Sequence, residues 1–179
     1  MRKEGKYIIR GRPGSGKSTT VELVRNRLES MGVGVGGIRT PEVREGGVRV
    51  GFMVEDIDSD TKGMFASVNY TGGPKISKYT VNISIFEDIA ISALERALAE
   101  SDVIIIDEIG KMELFSQKFK EVVLKIWESS KVVIATAPVS RIPFVERICE
   151  YSKVYWLKRG ESGRIANTLI EEITRYLGI

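Results

Sequence analysis

The sequence predicts a three-layer α/β fold whose mainly parallel sheet is extended by an antiparallel β insertion, and three observations carry that expectation. Val103-Ile104-Ile105-Ile106, Val132-Val133-Ile134-Ala135 and Val154-Tyr155-Trp156-Leu157 are apolar runs separated by helical patterns, as expected of parallel strands covered on both faces. A glycine-rich loop, Gly11 to Ser18, joins the apolar strand Tyr7-Ile8-Ile9 to the amphipathic run Val21, Leu23, Val24, Leu28. Between these regions, turns at Glu45-Gly46-Gly47 and from Asp58 to Gly63 break the chain into hairpin-like segments. A length of 179 residues suits one domain over residues 1–179.

The elements follow in order. Met31-Gly32 ends the first helix, and Val33 to Thr40 reads as a second strand bounded by Pro41. Val48 to Val54 completes an antiparallel hairpin, and a short strand runs through Met64-Phe65-Ala66. Thr71-Gly72-Gly73-Pro74 is a surface loop, whereas Lys75 to Ile83 carries no clear period. Ser84-Ile85-Phe86-Glu87 has the form of a capping box, and Ile89, Ala93, Leu94, Ala97 and Leu98 recur at helical spacing after it. Further helices are expected around Phe119 to Glu128, Phe144 to Glu150 and Ile165 to Leu177.

Composition removes several kinds of chemistry. The chain has no histidine, so histidine acid–base catalysis and histidine metal ligation are excluded. Its single cysteine, Cys149, lies in a helical stretch and fits a small buried side chain in a reducing compartment. A net charge of +3, with scattered Lys and Arg, gives no strong nucleic-acid signal. No apolar stretch approaches membrane-spanning length and the first residues carry no apolar leader, so the cytoplasm is the default location.

The loop Gly11-Arg12-Pro13-Gly14-Ser15-Gly16-Lys17-Ser18 matches G-x-x-x-x-G-K-[ST] in full. Glycines let backbone N–H groups wrap around phosphates, Lys17 supplies charge to the β- and γ-phosphates, and the Ser18 hydroxyl suits Mg²⁺. Thr19 follows within the same first helical turn, whose positive end faces the anion. Asp107 and Glu108 close the run Val103 to Ile106, at the edge where parallel sheets place ligand groups. Asp107 is the expected second Mg²⁺ holder and Glu108 the base that polarises an attacking water. Thr136, ending the next strand, is a candidate γ-phosphate sensor. Transition-state charge needs a further cation; Lys111, Arg39, Arg44, Arg141 and Arg164 are all candidates, and sequence does not choose among them.

Asp107-Glu108-Ile109-Gly110 also satisfies the D-x-x-G of regulatory GTPases, but no N-K-x-D is present: Asn26, Asn69, Asn82 and Asn167 each precede a residue other than Lys. A nucleoside or nucleotide kinase shares this size and loop, yet no arginine cluster suggests its lid. A nucleotide-dependent switch acting on RNA or a protein partner is a further alternative, with the hairpin at Glu45-Gly46-Gly47 as its contact surface.

The block Asp107-Glu108-Ile109-Gly110-Lys111-Met112-Glu113-Leu114-Phe115-Ser116 resembles the signature of the cancer-related and thermostable nucleoside-triphosphatase family. Thr40-Pro41-Glu42-Val43-Arg44 with Arg49-Val50-Gly51-Phe52 is similar to that family's second block. Tyr79 to Asn82 and Ala135 to Val139 fall in matching places. The resemblance implies a small RecA-like P-loop enzyme that uses Mg²⁺ to hydrolyse ATP, GTP, CTP and UTP to diphosphate and phosphate. Nucleotide contacts are then implied for Gly11 to Thr19 and for Val103, Ile104, Ile105, Ile106, Asp107, Glu108, Ile109 and Gly110, with Lys111 as a charge donor in cis. Arg159-Gly160-Glu161-Ser162-Gly163-Arg164 matches the family's E-N-R stretch only loosely. Oligomeric state is open, a monomer being the simplest reading.

Overall fold

The computed structural model describes residues 1–179. Its parallel strands are β1 (Lys6–Arg10), β2 (Val35–Arg39), β8 (Val103–Asp107), β9 (Val132–Ala137) and β10 (Lys153–Trp156). The insertion supplies β3 (Glu42–Glu45), β4 (Val48–Asp56), β5 (Lys62–Ser67), β6 (Lys75–Ile76) and β7 (Tyr79–Val81). The helices are α1 (Lys17–Ser30), α2 (Ile83–Glu100), α3 (Gln117–Glu128), α4 (Pro143–Cys149) and α5 (Ser162–Leu177), with a 3₁₀ turn at Glu113–Phe115.

All ten strands join one sheet in the order β10-β1-β9-β8-β2-β4-β5-β7-β6, with β3 beside β4. From β10 to β2 every pairing is parallel, and from β4 onward every pairing is antiparallel. The insertion therefore continues the sheet from the β2 edge, as expected. It also reaches back toward the parallel strands, because β4 pairs with β2 at Arg39–Glu55 and with β3 at Glu42–Phe52.

Strand alternation explains the uninterrupted apolar runs. Ile104, Ile106, Val133 and Ala135 face a core shared with α2, α3 and α4, whereas Val103, Ile105, Val132 and Ile134 face one shared with α1 and α5. Both faces are buried, so no polar residue interrupts the period. Gly37, at φ 130°, permits close pairing of β2 with β8: a Cβ there would fall 1.9 Å from the Ile105 carbonyl oxygen.

Two local expectations are corrected. The segment from Lys75 to Ile83 holds β6, β7 and the start of α2, elements too short to show a period. Asn82, rather than Ser84, caps α2, its Oδ1 accepting the Ile85 N–H at 3.0 Å. Glu87 instead accepts from the Ser116 hydroxyl at 2.5 Å. No helix is long and apolar enough to cross a membrane.

Candidate active site

The loop after β1 turns sharply at Gly14 (φ 77°) and Gly16 (φ 100°), left-handed conformations that a side chain would strain. Gly16 immediately precedes α1, and a Cβ there would lie 2.3 Å from Ser162 Oγ. The first N–H groups of α1, from Lys17 onward, have no helical acceptor and carry the positive end of the dipole. Ser15 Oγ is the one buried side-chain polar atom without a partner. An anion with several acceptor oxygens satisfies such a loop.

Lys17 Nζ donates to the Gly11 carbonyl at 2.6 Å and lies 3.5 Å from Glu108 Oε2. The ammonium is thereby arched back over the loop toward the acids of β8. Asp107 and Glu108 are fixed from both sides. Thr136 on β9 donates its hydroxyl to Asp107 Oδ1 at 2.6 Å; Thr40, just beyond β2, donates its N–H to the Asp107 carbonyl at 2.6 Å and accepts the Glu108 N–H at 3.2 Å. Thr136 is fully buried, so its hydroxyl orients the Asp107 carboxylate.

Burial pushes the Glu108 carboxyl above its ordinary range, with Lys17 pulling it down and Asp107 pushing it up again. Its side chain nevertheless keeps 33% of its surface exposed, enough to meet a water. Beneath it Glu113 is buried and held well above the usual carboxylate range, first by desolvation and then by Glu108. Glu113 Oε1 accepts the Gly110 N–H at 2.9 Å. A Cβ on Gly110 would sit 2.9 Å from both Glu108 Oε1 and Glu113 Oε1, so this glycine keeps the two acids close.

A cavity of about 500 Å³ collects Arg12, Pro13, Gly14, Gly16, Lys17, Ser18 and Thr19 with Asp107 and Glu108. Its remaining walls are Pro138 and five residues of the insertion region, Thr40, Pro41, Glu42, Arg49 and Phe52. A second cavity, also about 500 Å³, shares Arg12, Pro13 and Gly14 and continues past Val139 to Trp156, Leu157, Lys158 and Arg159.

Other expected contacts lie elsewhere. Val103, Ile104, Ile105 and Ile106 have their side chains in the two cores, and Ile109 is buried with them. Their part is to carry Asp107 and Glu108 to the sheet edge, because a doubly covered strand exposes no side chain to a ligand. Lys111 is exposed and lines neither cavity. Arg39 pairs with Glu55 at 2.6 Å, Arg44 with Glu42 at 2.6 Å and Arg164 with Glu161 at 3.3 Å, while Arg141 is exposed. Arg49, absent from the sequence candidates, lines the first of these cavities. Its Nε donates to the Tyr79 hydroxyl at 2.8 Å, and its guanidinium lies 5.3 and 5.4 Å from the Phe52 and Tyr79 ring centroids. Arg49 stands in the block that already resembled the family; only the pairing of β4 with β3 and β5 brings it to the cavity.

Comparisons with known proteins agree with this geometry. A family model described as NTPase matches residues 6–173. The nucleoside-triphosphatase THEP1 of Korarchaeum cryptofilum is 52% identical over 179 residues, covering all of this chain and 92% of that protein. The crystal structure of THEP1 from the hyperthermophile Aquifex aeolicus superposes with a TM-score of 0.81 at 36% identity, covering 94% of this chain and 98% of that one. The solution structure of a human cancer-related nucleoside triphosphatase gives 0.80 at 31% identity, with 98% of each chain covered. With its phosphate loop on β1 and its paired acids on β8 matched along nearly the whole sequence, the chain belongs to the NTPase family.

Proposed function

We propose that this chain, acting as one domain over residues 1–179, hydrolyses nucleoside triphosphates to diphosphate and phosphate in the cytoplasm. The observation that carries the reading is the juxtaposition of Glu108 with Lys17, 3.5 Å apart in the cavity of the phosphate loop. Lys17 and the loop amides hold the β- and γ-phosphates, so the terminal phosphorus is presented beside a carboxylate. Burial has raised the affinity of that carboxylate for a proton, which suits it to accept one from an attacking water. The lone pair of the water oxygen forms the new P–O bond in line as the bond to the bridging oxygen breaks. Nucleoside diphosphate leaves with the negative charge, and phosphate retains the new oxygen.

The donor set fits Mg²⁺. Asp107 and Ser18 line the same cavity and would supply two oxygen ligands, with no cluster of three or more His, Cys, Asp or Glu to form an all-protein cage. Mg²⁺ keeps several waters and takes substrate phosphate oxygens, so two protein oxygens suffice. Bound there, it would neutralise charge on the β- and γ-oxygens. Thr136 holds the Asp107 carboxylate in orientation. Arg49 supplies the additional positive charge, its guanidinium being the one from the insertion that lines this cavity.

The test is phosphate release from ATP, GTP, CTP and UTP by the parent protein and by Glu108→Gln. The amide conserves size and removes the base, so turnover is expected to fall about 10²- to 10⁴-fold with triphosphate affinity retained. Parental turnover in Glu108→Gln would overturn the assignment of the base. Phosphate appearing on an alcohol acceptor, with none released to solution, would replace hydrolysis by a kinase reaction.

A further inference from the structure

We infer that Trp156 is the stacking platform for the nucleobase of the substrate, and that the cavity between Trp156 and Val139 takes bases by their faces without reading their edges. The inference rests on the proposed triphosphate site and extends it. The two cavities share Arg12, Pro13 and Gly14 as lining, so they adjoin at the loop, and a ligand whose phosphates lie on it has the Trp156 cavity next to it.

Trp156 closes the edge strand β10 with 57% of its surface exposed, and Val139, after β9, is exposed in the same cavity. An exposed tryptophan at a sheet edge is ordinarily mobile. This one has a rigid backing: the Arg10 guanidinium lies 4.8 Å from its ring centroid, in register beside it on β1. Arg10 is itself 2% exposed and anchored three ways, donating to the Pro138 carbonyl at 3.0 Å, the Ser140 carbonyl at 2.9 Å and Glu146 Oε1 at 2.8 Å. The same guanidinium thus ties the loop carrying Val139 to the strand carrying Trp156. Such a slot is preorganised for a flat aromatic ligand.

The wall chemistry favours no one base over another. Trp156, Val139 and Leu157 are apolar, and Lys158, Arg159 and Arg12 have exposed, flexible donors. No Asn, Gln, Asp or Glu side chain lines the cavity to distinguish the edge of guanine from that of adenine. Stacking accepts every base because every base has a π-face.

The two tryptophans make the test direct. Trp127 is buried and donates to Ser152 Oγ at 2.9 Å, so its emission is insulated from a ligand at the sheet edge. Intrinsic fluorescence is followed while the protein is titrated with ADP, GDP, CDP and UDP, which are not consumed, and with pyrophosphate as the base-free control. All four nucleotides are expected to quench emission, while pyrophosphate binds, as measured calorimetrically, without quenching. Trp156→Ala is expected to weaken the four nucleotides about tenfold and leave pyrophosphate unchanged. Trp156→Phe should retain nucleotide affinity within about threefold, because a ring remains to stack, while losing the quench. Equal quenching by pyrophosphate and ADP, or parental nucleotide affinity in Trp156→Ala, would overturn the base site. Failure of the phosphate-loop reading looks different: pyrophosphate does not bind, and Lys17→Ala leaves nucleotide affinity unchanged.

Discussion

Arg49 is distinguished from the other basic residues by what its charge is left to do. Arg39 and Arg44 each make a 2.6 Å ion pair with a neighbouring carboxylate, whereas Arg49 is 3.5 Å from Glu42 and is held chiefly by the Tyr79 hydroxyl and two aromatic rings. The hydroxyl and the rings position the guanidinium without cancelling its field, and Glu42, which pairs more closely with Arg44, offsets only part of it, so charge remains for a phosphoryl group. Arg49→Ala is therefore expected to lower kcat about 10²-fold, with little change in the affinity of a non-hydrolysable triphosphate. Arg49→Lys should recover part of the loss, because charge returns without the planar fork. Parallel kcat and binding measurements check this: a loss confined to affinity or thermal stability would leave Arg49 a merely structural pin. Lys17, Ser18, Asp107 and Glu108 were legible beforehand because each occupies a fixed place in a short contiguous pattern. Arg49, Thr40 and Trp156 were not, because sheet pairing brings them to the loop across tens of residues. Lys111 shows the converse: three residues after Glu108 in sequence, it is exposed and lines neither cavity.

Among the elements, those with a long period were readable and those defined by a single hydrogen bond were not. Four of the five parallel strands announced themselves by apolar runs, β2 by the breaks at Met31-Gly32 and Pro41 on either side of it, and the main helices by their spacing. The start of α2 misled, because Ser84-x-x-Glu87 satisfies the capping-box pattern two residues after the true cap. Pairing of β7 with β5 decides the matter: the chain leaves Val81 extended, the Asn82 N–H donates to the Phe65 carbonyl at 2.7 Å, and the Asn82 side chain falls at the cap. Asn82→Ala should cost about 1 kcal/mol, the usual loss of a side-chain cap. Ser84→Ala should stay within about 0.5 kcal/mol, as exposed substitutions without a defined partner do. Urea unfolding of the two variants measures the difference directly, and equal losses would return the cap to Ser84.

For the whole molecule, strand order separates chemistry from alkaline sensitivity. The phosphate loop and the acids emerge at the carboxyl ends of β1 and β8, with β9 between them supplying Thr136 to Asp107. Nearer the other end of the sheet, Tyr7 on β1 lies among Tyr155, Lys153, Glu172 and Tyr176. Tyr7 is 5% exposed; burial first, and then the negative charge of Glu172, push its hydroxyl up to about 12. A group whose pKa is raised on folding stabilises below its unfolded value and loses that contribution as pH rises through the folded one. The window therefore runs from about 10, the unfolded value for tyrosine, to about 12. At about 1.4 kcal/mol per unit, the loss across that window approaches 3 kcal/mol. Lys6, lowered by burial, contributes the opposite slope, so the parent alone does not isolate the tyrosine. The comparison with Tyr7→Phe does: between pH 9 and pH 11.5 the variant's urea midpoint should fall less than the parent's. Phosphate binding below pH 10 should be the same in both, because Tyr7 lines neither cavity at the loop. Parallel alkaline curves for parent and variant would show that Tyr7 ionises as readily in the folded chain as in the unfolded one.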